Sequence, residues 1–259
     1  KPSSITEATA IVTPKESGET LKRKVVAMYL AGYNTIHLKL KMGRISPSQR
    51  DAVRDLVRRN LVGTEMVADS SDVITLQVLL SLPELSVNTA IRRMYLIASS
   101  MHRDAMSAMA ELNAELAKEV VKSDDEVDRF SLYISRNLVM ASQNGRVLRE
   151  MGLKKASDCL SFRSAVKSIE RIADHASALA ERSMKFQEKI SREIFEKIEK
   201  MSSLSLTLLG DSVEALLRRD YHLADRTVDS VENIYAHESE VLTLTEKEKT
   251  RDAANVKLV

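Results

Sequence analysis

The sequence predicts a mainly α protein: a three-helix bundle that is duplicated in tandem, with its second copy incomplete, behind a small α/β module. Three observations carry this expectation. Apolar residues make up 44% of the 259 and charged residues 29%, yet aromatics are only 4%, with no Trp and eleven Met. That balance favours helices packed through aliphatic side chains over a β-sandwich, and seven Gly and four Pro leave long helices uninterrupted. After Pro83 the apolar residues recur every three or four positions. Finally, the chain superposes on itself, without gaps, at a shift of 107 positions.

Residues 1–83 change character repeatedly and read as the α/β module. "GETLKRKVVAMYLAGY" predicts a helix ending near Gly32, and "NTIHLKLKM" a half-buried strand in which Ile36, Leu38, Leu40 and Met42 alternate with Thr35, His37, Lys39 and Lys41. "SPSQRDAVRDLVRRN" opens a second helix with Ser46 as cap, Pro47 at its first position and Gln49 completing a capping box; Gly63 follows its end. "TEMVAD" and "DVITLQVLL", separated by the turn-rich "DSSD", predict a hairpin over one face of those helices.

Residues 84–187 form the first bundle. Ile91, Met94, Met101, Ala105, Ala108 and Leu112 mark one long amphipathic helix; a second runs from about Leu116 to Met140 and a third from about Ala156 to Phe186, with "QNGRVLREMGL" between them. Residues 188–259 form the second bundle, with helices over about 190–218 and 222–248. The 107-residue shift places Ile91, Met94, Asp104, Ala108, Leu116, Ala117, Val121 and Ser123 on Ile198, Met201, Asp211, Ala215, Leu223, Ala224, Val228 and Ser230. Identities in one register across helix, turn and helix signify duplication. The third helix of the second copy is expected to start around "KTRDAANVKLV" and to continue past Val259. Both Lys1 and the apolar "NVKLV" are what cuts in a longer parent chain would leave. The fourth and fifth helices then keep an uncovered apolar face through which this fragment could associate, as in a homodimer.

A formal net charge of +2 does not select nucleic acid as partner. The single Cys159 can form neither an internal disulfide nor a CxxC metal site, and fits a small buried hydrophobe in a reducing cytoplasm. No apolar run reaches the ~18–20 residues that span a bilayer, so membrane insertion is not expected. Neither GxSxG nor a glycine-rich nucleotide loop is present, which argues against an enzyme.

The chemistry concentrates in carboxylates. On the second helix of the first bundle Asp124 takes a place where the stripe Leu116, Val120, Val127, Ile134, Leu138 leads one to expect an apolar residue, and Asp128 lies one turn on. On the third helix, in "SIERIADHASALAE", Glu170 and Asp174 flank the stripe Phe162, Val166, Ile169, Ala173, Ala176, again four apart. Each helix thus offers two oxygen ligands on one side. Facing carboxylate pairs are tolerable when protons or cations neutralise them. Oxygen ligands suit Mg²⁺, Ca²⁺, Mn²⁺ or Fe³⁺, and His175 beside the pair admits iron or zinc. The bland alternative is a solvated acidic face, or pairing with a nearby base such as Arg171. No histidine has Glu three residues before it, so a ferritin-type di-iron oxidase is not indicated.

At "KSDDEVDRFSLYISRNL" and "MGLKKASDCLSFRSAVKSIERIADHASALAE", with "LAGYNTIHL" and "RRNLVGTEM" ahead of them, the chain resembles the PhoU family of phosphate-uptake regulators, in particular its archaeal branch. The resemblance covers about 20–250. It implies tandem PhoU-like three-helix bundles whose acidic motifs bind multinuclear iron or zinc clusters, with magnesium or manganese as further candidates. Carried over, the metal ligands are Asp124, Asp128, Glu170 and Asp174. It also implies a cytoplasmic regulator of phosphate homeostasis that contacts the ATPase of a phosphate ABC transporter or a signalling protein. The second copy departs from the pattern: Val231 and Tyr235 align with Asp124 and Asp128, so one site is expected, in the first bundle.

An alternative is a DNA-binding transcriptional regulator with the bundles as sensor, for which Arg50, Arg54 and Arg58 would form the basic stripe; the same stripe also fits a solvated helix face. Met94, Met101, Met106 and Met109 fit core packing better than a partner groove. His102 and His222 lack paired ligand spacing and read as surface or packing residues.

Overall fold

The computed structural model describes residues 6–80 and 84–248, with side chains through Leu244. Its elements are β1 (Glu7–Val12), α1 (Gly18–Leu30), β2 (Thr35–Leu40), α2 (Pro47–Asn60), β3 (Thr64–Asp69), β4 (Val73–Val78), α3 (Val87–Glu111), α4 (Ala114–Gln143), α5 (Gly145–Glu150), α6 (Asp158–Ser183), α7 (Arg192–Arg218), α8 (Tyr221–Asp229) and α9 (Glu232–Glu248). The protein is mainly helical, with a small sheet module at its N-terminal side. It forms two compact units. One takes in the chain up to Ile91 together with Asp125–Lys167; the other takes in Arg92–Asp124 and the chain from Ser168 onward. These units cut across the sequence segments 1–83, 84–187 and 188–259 because α3, α4 and α6 each contribute to both. The Pro83 boundary lies outside the described residues.

In the first unit the sheet order is β1-β2-β4-β3, with β1 parallel to β2 and the remaining pairs antiparallel. The alternation read in "NTIHLKLKM" holds through Leu40: Ile36, Leu38 and Leu40 are buried, whereas Met42 lies past the strand and is exposed. Those residues pack with Leu21, Val25 and Tyr29 of α1, Val53 and Leu56 of α2, and Ile74 and Leu76 of β4; Leu132 of α4 closes on the same core. β1 was not anticipated, because "EATAIV" places only alanines and Val12 on its inner side and Val12 alone is fully buried.

Two buried polar side chains knit this unit together. Gln49, 2% exposed, closes the predicted capping box with Ser46 and donates from Nε2 to the Thr13 and Glu16 carbonyls at 3.0 and 2.8 Å, so its amide ties α2 to the β1–α1 loop. Arg136 of α4, 3% exposed, reaches the end of α1. There Gly32, at φ +96°, terminates the helix in a Schellman arrangement: Gly32 N–H donates to Tyr29 O and Tyr33 N–H to Met28 O. The Arg136 guanidinium then donates to the carbonyls of Tyr29, Gly32 (3.1 Å) and Tyr33 (2.8 Å) and to Asn34 Oδ1 (2.7 Å), and lies over the Tyr29 ring. A cation at a helix C-terminus complements the dipole as well as the carbonyls.

In the second unit the repeat is visible in the backbone. Leu112 and Arg219, 107 positions apart, are the positive-φ residues other than glycine among those described, each at φ 56°. Each ends a helix and is followed by a cap: Asn113 Oδ1 accepts from Leu116 N–H at 3.1 Å, and Asp220 Oδ1 from Leu223 N–H at 2.9 Å. Asn113 N–H and Asp220 N–H likewise return to the carbonyls of Ala108 and Ala215, both at 2.9 Å. The repeat-equivalent helices α3 and α7 pack antiparallel, since Arg92 pairs with Glu214, Tyr95 abuts Gly210, and His102 bonds Ser202. At Gly210 a β-carbon would stand 2.8 Å from the Tyr95 hydroxyl, so glycine is what allows that approach.

Met94, Met101, Met106 and Met109 are all buried, as core packing requires. The predicted fifth helix is broken into α8 and α9 around Ser230 and Val231. The run Thr227-Val228-Asp229-Ser230-Val231 is made of weak helix formers, and the backbone passes it with i,i+3 bonds such as Ile234 N–H to Val231 O. Tyr221, Val228, Val231, Tyr235 and Leu242 are exposed along α8 and α9. The segment expected to begin the next helix, 249–259, lies outside the described residues.

Candidate functional site

The acidic turns sit on helices whose apolar stripes fix their orientation. On α4, Val120, Val127, Ile134 and Leu138 are buried, which leaves Asp124 and Asp128 half-buried beside them. On α6, Phe162, Val166, Ile169, Ala173 and Ala176 are buried, with Glu170 half-buried and Asp174 and His175 exposed. Asp124, Asp128 and Glu170 each already take part in a hydrogen-bonding or electrostatic interaction. Among the described residues no three or more His, Cys, Asp and Glu side chains gather into a group able to hold a metal ion. Each helix therefore supplies a pair of carboxylates one turn apart, a part of the six or more oxygens that a hard divalent ion takes up. Val231 and Tyr235, the repeat equivalents of Asp124 and Asp128, are exposed apolar or aromatic residues.

The arginine stripe of α2 is engaged within its own unit. Asp69 pairs with Arg50 and, at 2.7 Å, with Arg54; Asp55 pairs with Arg58 at 3.5 Å and with Arg59 at 2.8 Å. Phosphate backbone would have to displace those carboxylates. Cys159 is buried, and that burial, with the Asp158 charge beside it, holds its thiol above the usual range. Such a thiol is a poor nucleophile and metal ligand.

One grouping of polar side chains comes together only in the fold. His102 of α3, His175 and Arg182 of α6 and Ser205 of α7 line a common cavity in the second unit. His102 is half-buried, with Nε2 2.7 Å from Ser202 Oγ. Burial first, then the charges of Arg103 and His175, lowers its pKa. The i,i+7 spacing of His175 and Arg182 was the available signal; nothing local ties either to His102. No helix among the described residues is long and apolar enough to cross a membrane.

Comparison with known proteins places this geometry in context. Residues 91–183 match the PhoU domain. The chain is 28% identical over 148 residues to the phosphate-specific transport system accessory protein PhoU homolog of Aquifex aeolicus, covering 54% of this chain and 63% of that protein. It is 27% identical over 138 residues to the phosphate-specific transport system accessory protein PhoU homolog 1 of Thermotoga maritima, covering 52% and 56% respectively. The matches thus span less than two thirds of the length of these curated relatives.

Proposed function

Because residues 91–183 carry a PhoU domain, we propose that this chain regulates phosphate uptake as a cytoplasmic, non-enzymatic adaptor that contacts a phosphate ABC transporter or its signalling partner. The observation that carries the proposal is the domain match itself, joined to two relatives named as accessory proteins of phosphate-specific transport. The paired arginines of α2 give the DNA-binding alternative no free basic stripe among the described residues. The test is direct binding of the purified chain to the ATPase subunit of its organism's phosphate importer. Saturable binding is the expected result; absence of binding both to that ATPase and to the associated signalling protein would overturn the role.

Metal capture is a separable part of the proposal. Asp124, Asp128, Glu170 and Asp174 are its candidate ligands for iron or zinc, with magnesium or manganese as alternatives, and its support is the acidic turn on each of α4 and α6. Elemental analysis of protein purified without chelator is expected to find stoichiometric metal that falls at least severalfold in Asp128→Ala and Glu170→Ala. Metal-free wild-type protein would remove this part and leave the adaptor role standing.

A further inference from the structure

We propose that β1 pairs antiparallel with the β1 of a second copy of this chain, across a twofold axis at Thr9, so that one sheet runs through both copies. The order β1-β2-β4-β3 leaves two edges. Sheets blunt an exposed edge with charges or a bulge, and β3 has both: Glu65 and Asp69 lie in it, and its register shifts between Met66 and Ala68. β1, "EATAIV", keeps regular register with β2 and carries one charge, Glu7 at its start. The unguarded edge is the one open to a further strand.

The backbone fixes the register. Thr6 C=O accepts from Asn34 and Thr35 N–H and so points toward β2; by the alternation of a strand, the N–H and C=O of Glu7, Thr9 and Ile11 point away from it. Ile11 C=O accordingly takes Lys24 Nζ, at 2.9 Å, and keeps a second lone pair. Glu7, Thr9 and Ile11 are all exposed. An antiparallel partner must set outward groups against outward groups and each face of the sheet against its like. Pairing about Thr9 does both: Thr9 meets Thr9, Ala8 meets Ala10, and Glu7 meets the second copy's Ile11. Charge agrees, because the β2 neighbour of Ile11 is the exposed Lys39, within reach of the incoming Glu7.

The helix above this edge suits the same axis. α1 packs on both β1 and β2, so with strands ~4.8 Å apart the two α1 axes would lie about 10 Å from each other, a distance at which helices pack. Lys24, bonded to Ile11, marks the side of α1 over the edge, and Ala27, Met28 and Ala31 follow on that side. Rises of ~3.3 Å per strand residue and ~1.5 Å per helix residue bring Ala27 and Met28 level with Thr9. Ala27 and Ala31 are exposed and small, which lets the helices approach. This twofold match of strand and helix selects a second copy over an unrelated strand. The contact lies within the first unit and is independent of the phosphate-uptake proposal.

Sedimentation equilibrium of the whole chain tests this. The wild type is expected to dimerise reversibly with concentration. Proline at an outward-facing edge position spares the ladder to β2, so Thr9→Pro should weaken the dimer at least tenfold with unchanged circular dichroism. Opposed α-carbons of an antiparallel pair stand about 4.5–5.5 Å apart, within the span of a disulfide. Thr9→Cys should therefore oxidise to a covalent dimer, whereas Glu7→Cys, which meets Ile11 and not itself, should not; the native Cys159 is buried. Glu7→Lys should weaken association at least severalfold, and adding Lys39→Glu should restore it. A monomer at every concentration, a dimer that Thr9→Pro leaves intact, or cross-linking of Glu7→Cys as readily as Thr9→Cys would each overturn the proposal.

Discussion

Replacing Arg136 by Met is expected to cost about 3–5 kcal/mol of unfolding free energy, the loss seen when one member of a buried, fully hydrogen-bonded charged group is removed. Met restores most of the side-chain volume, so packing against Tyr29 largely survives. What is lost are the donors. The Tyr29, Gly32 and Tyr33 carbonyls and Asn34 Oδ1 all accept from this one guanidinium, and Arg136 is nearly inaccessible to water that might replace it. Arg136→Lys should recover only part of the loss, because an ammonium cannot reproduce the fork that spans four acceptors. Urea denaturation followed by circular dichroism is the measurement. A loss under about 1 kcal/mol in Met, typical of an exposed pair, would show that the end of α1 does not depend on α4.

The second expectation separates two costs that glycine substitutions usually mix. Gly63 and Gly152 have similar backbones, at φ +61° and +69°. A β-carbon at Gly152 would meet nothing within 4 Å, whereas one at Gly63 would stand 2.2 Å from Leu80 Cβ and 3.2 Å from its Cα. Gly152→Ala should therefore cost only the left-handed backbone penalty, about 1 kcal/mol. Gly63→Ala should cost about 3 kcal/mol, since crowding adds a further 1–3. It also threatens the 2.7 Å bond by which Leu79 N–H reaches the Gly63 carbonyl. Equal losses in the two variants would refute the close approach of Leu80.

These two glycines illustrate what sequence could and could not reveal. Gly63 was legible as the stop after α2, because a glycine past a capped helix has a local meaning; its collision partner, Leu80, did not. α2 itself was readable to its first residue since cap, proline and Gln49 act within one turn. β1 was missed because parallel pairing with β2 satisfies its backbone whatever its side chains are. The break between α8 and α9 lies in a run whose helix propensity is weak but whose periodicity is unbroken, so the spacing of apolar residues alone reads straight through it. At the site, the i,i+4 carboxylates were plain in the sequence, whereas the degree of burial that distinguishes Asp124 from Asp174 depends on tertiary packing. The His102, His175 and Arg182 lining joins residues far apart in the chain, and no local pattern encodes such a meeting.

The antiparallel contact of α3 with α7 has an evolutionary corollary. Two copies of the same helix that meet head to tail, each presenting the counterpart of its neighbour's surface, reproduce within one polypeptide the self-complementary patch of a twofold-symmetric dimer. The two copies are not equivalent in chemistry, since Val231 and Tyr235 stand in the second where the first has Asp124 and Asp128.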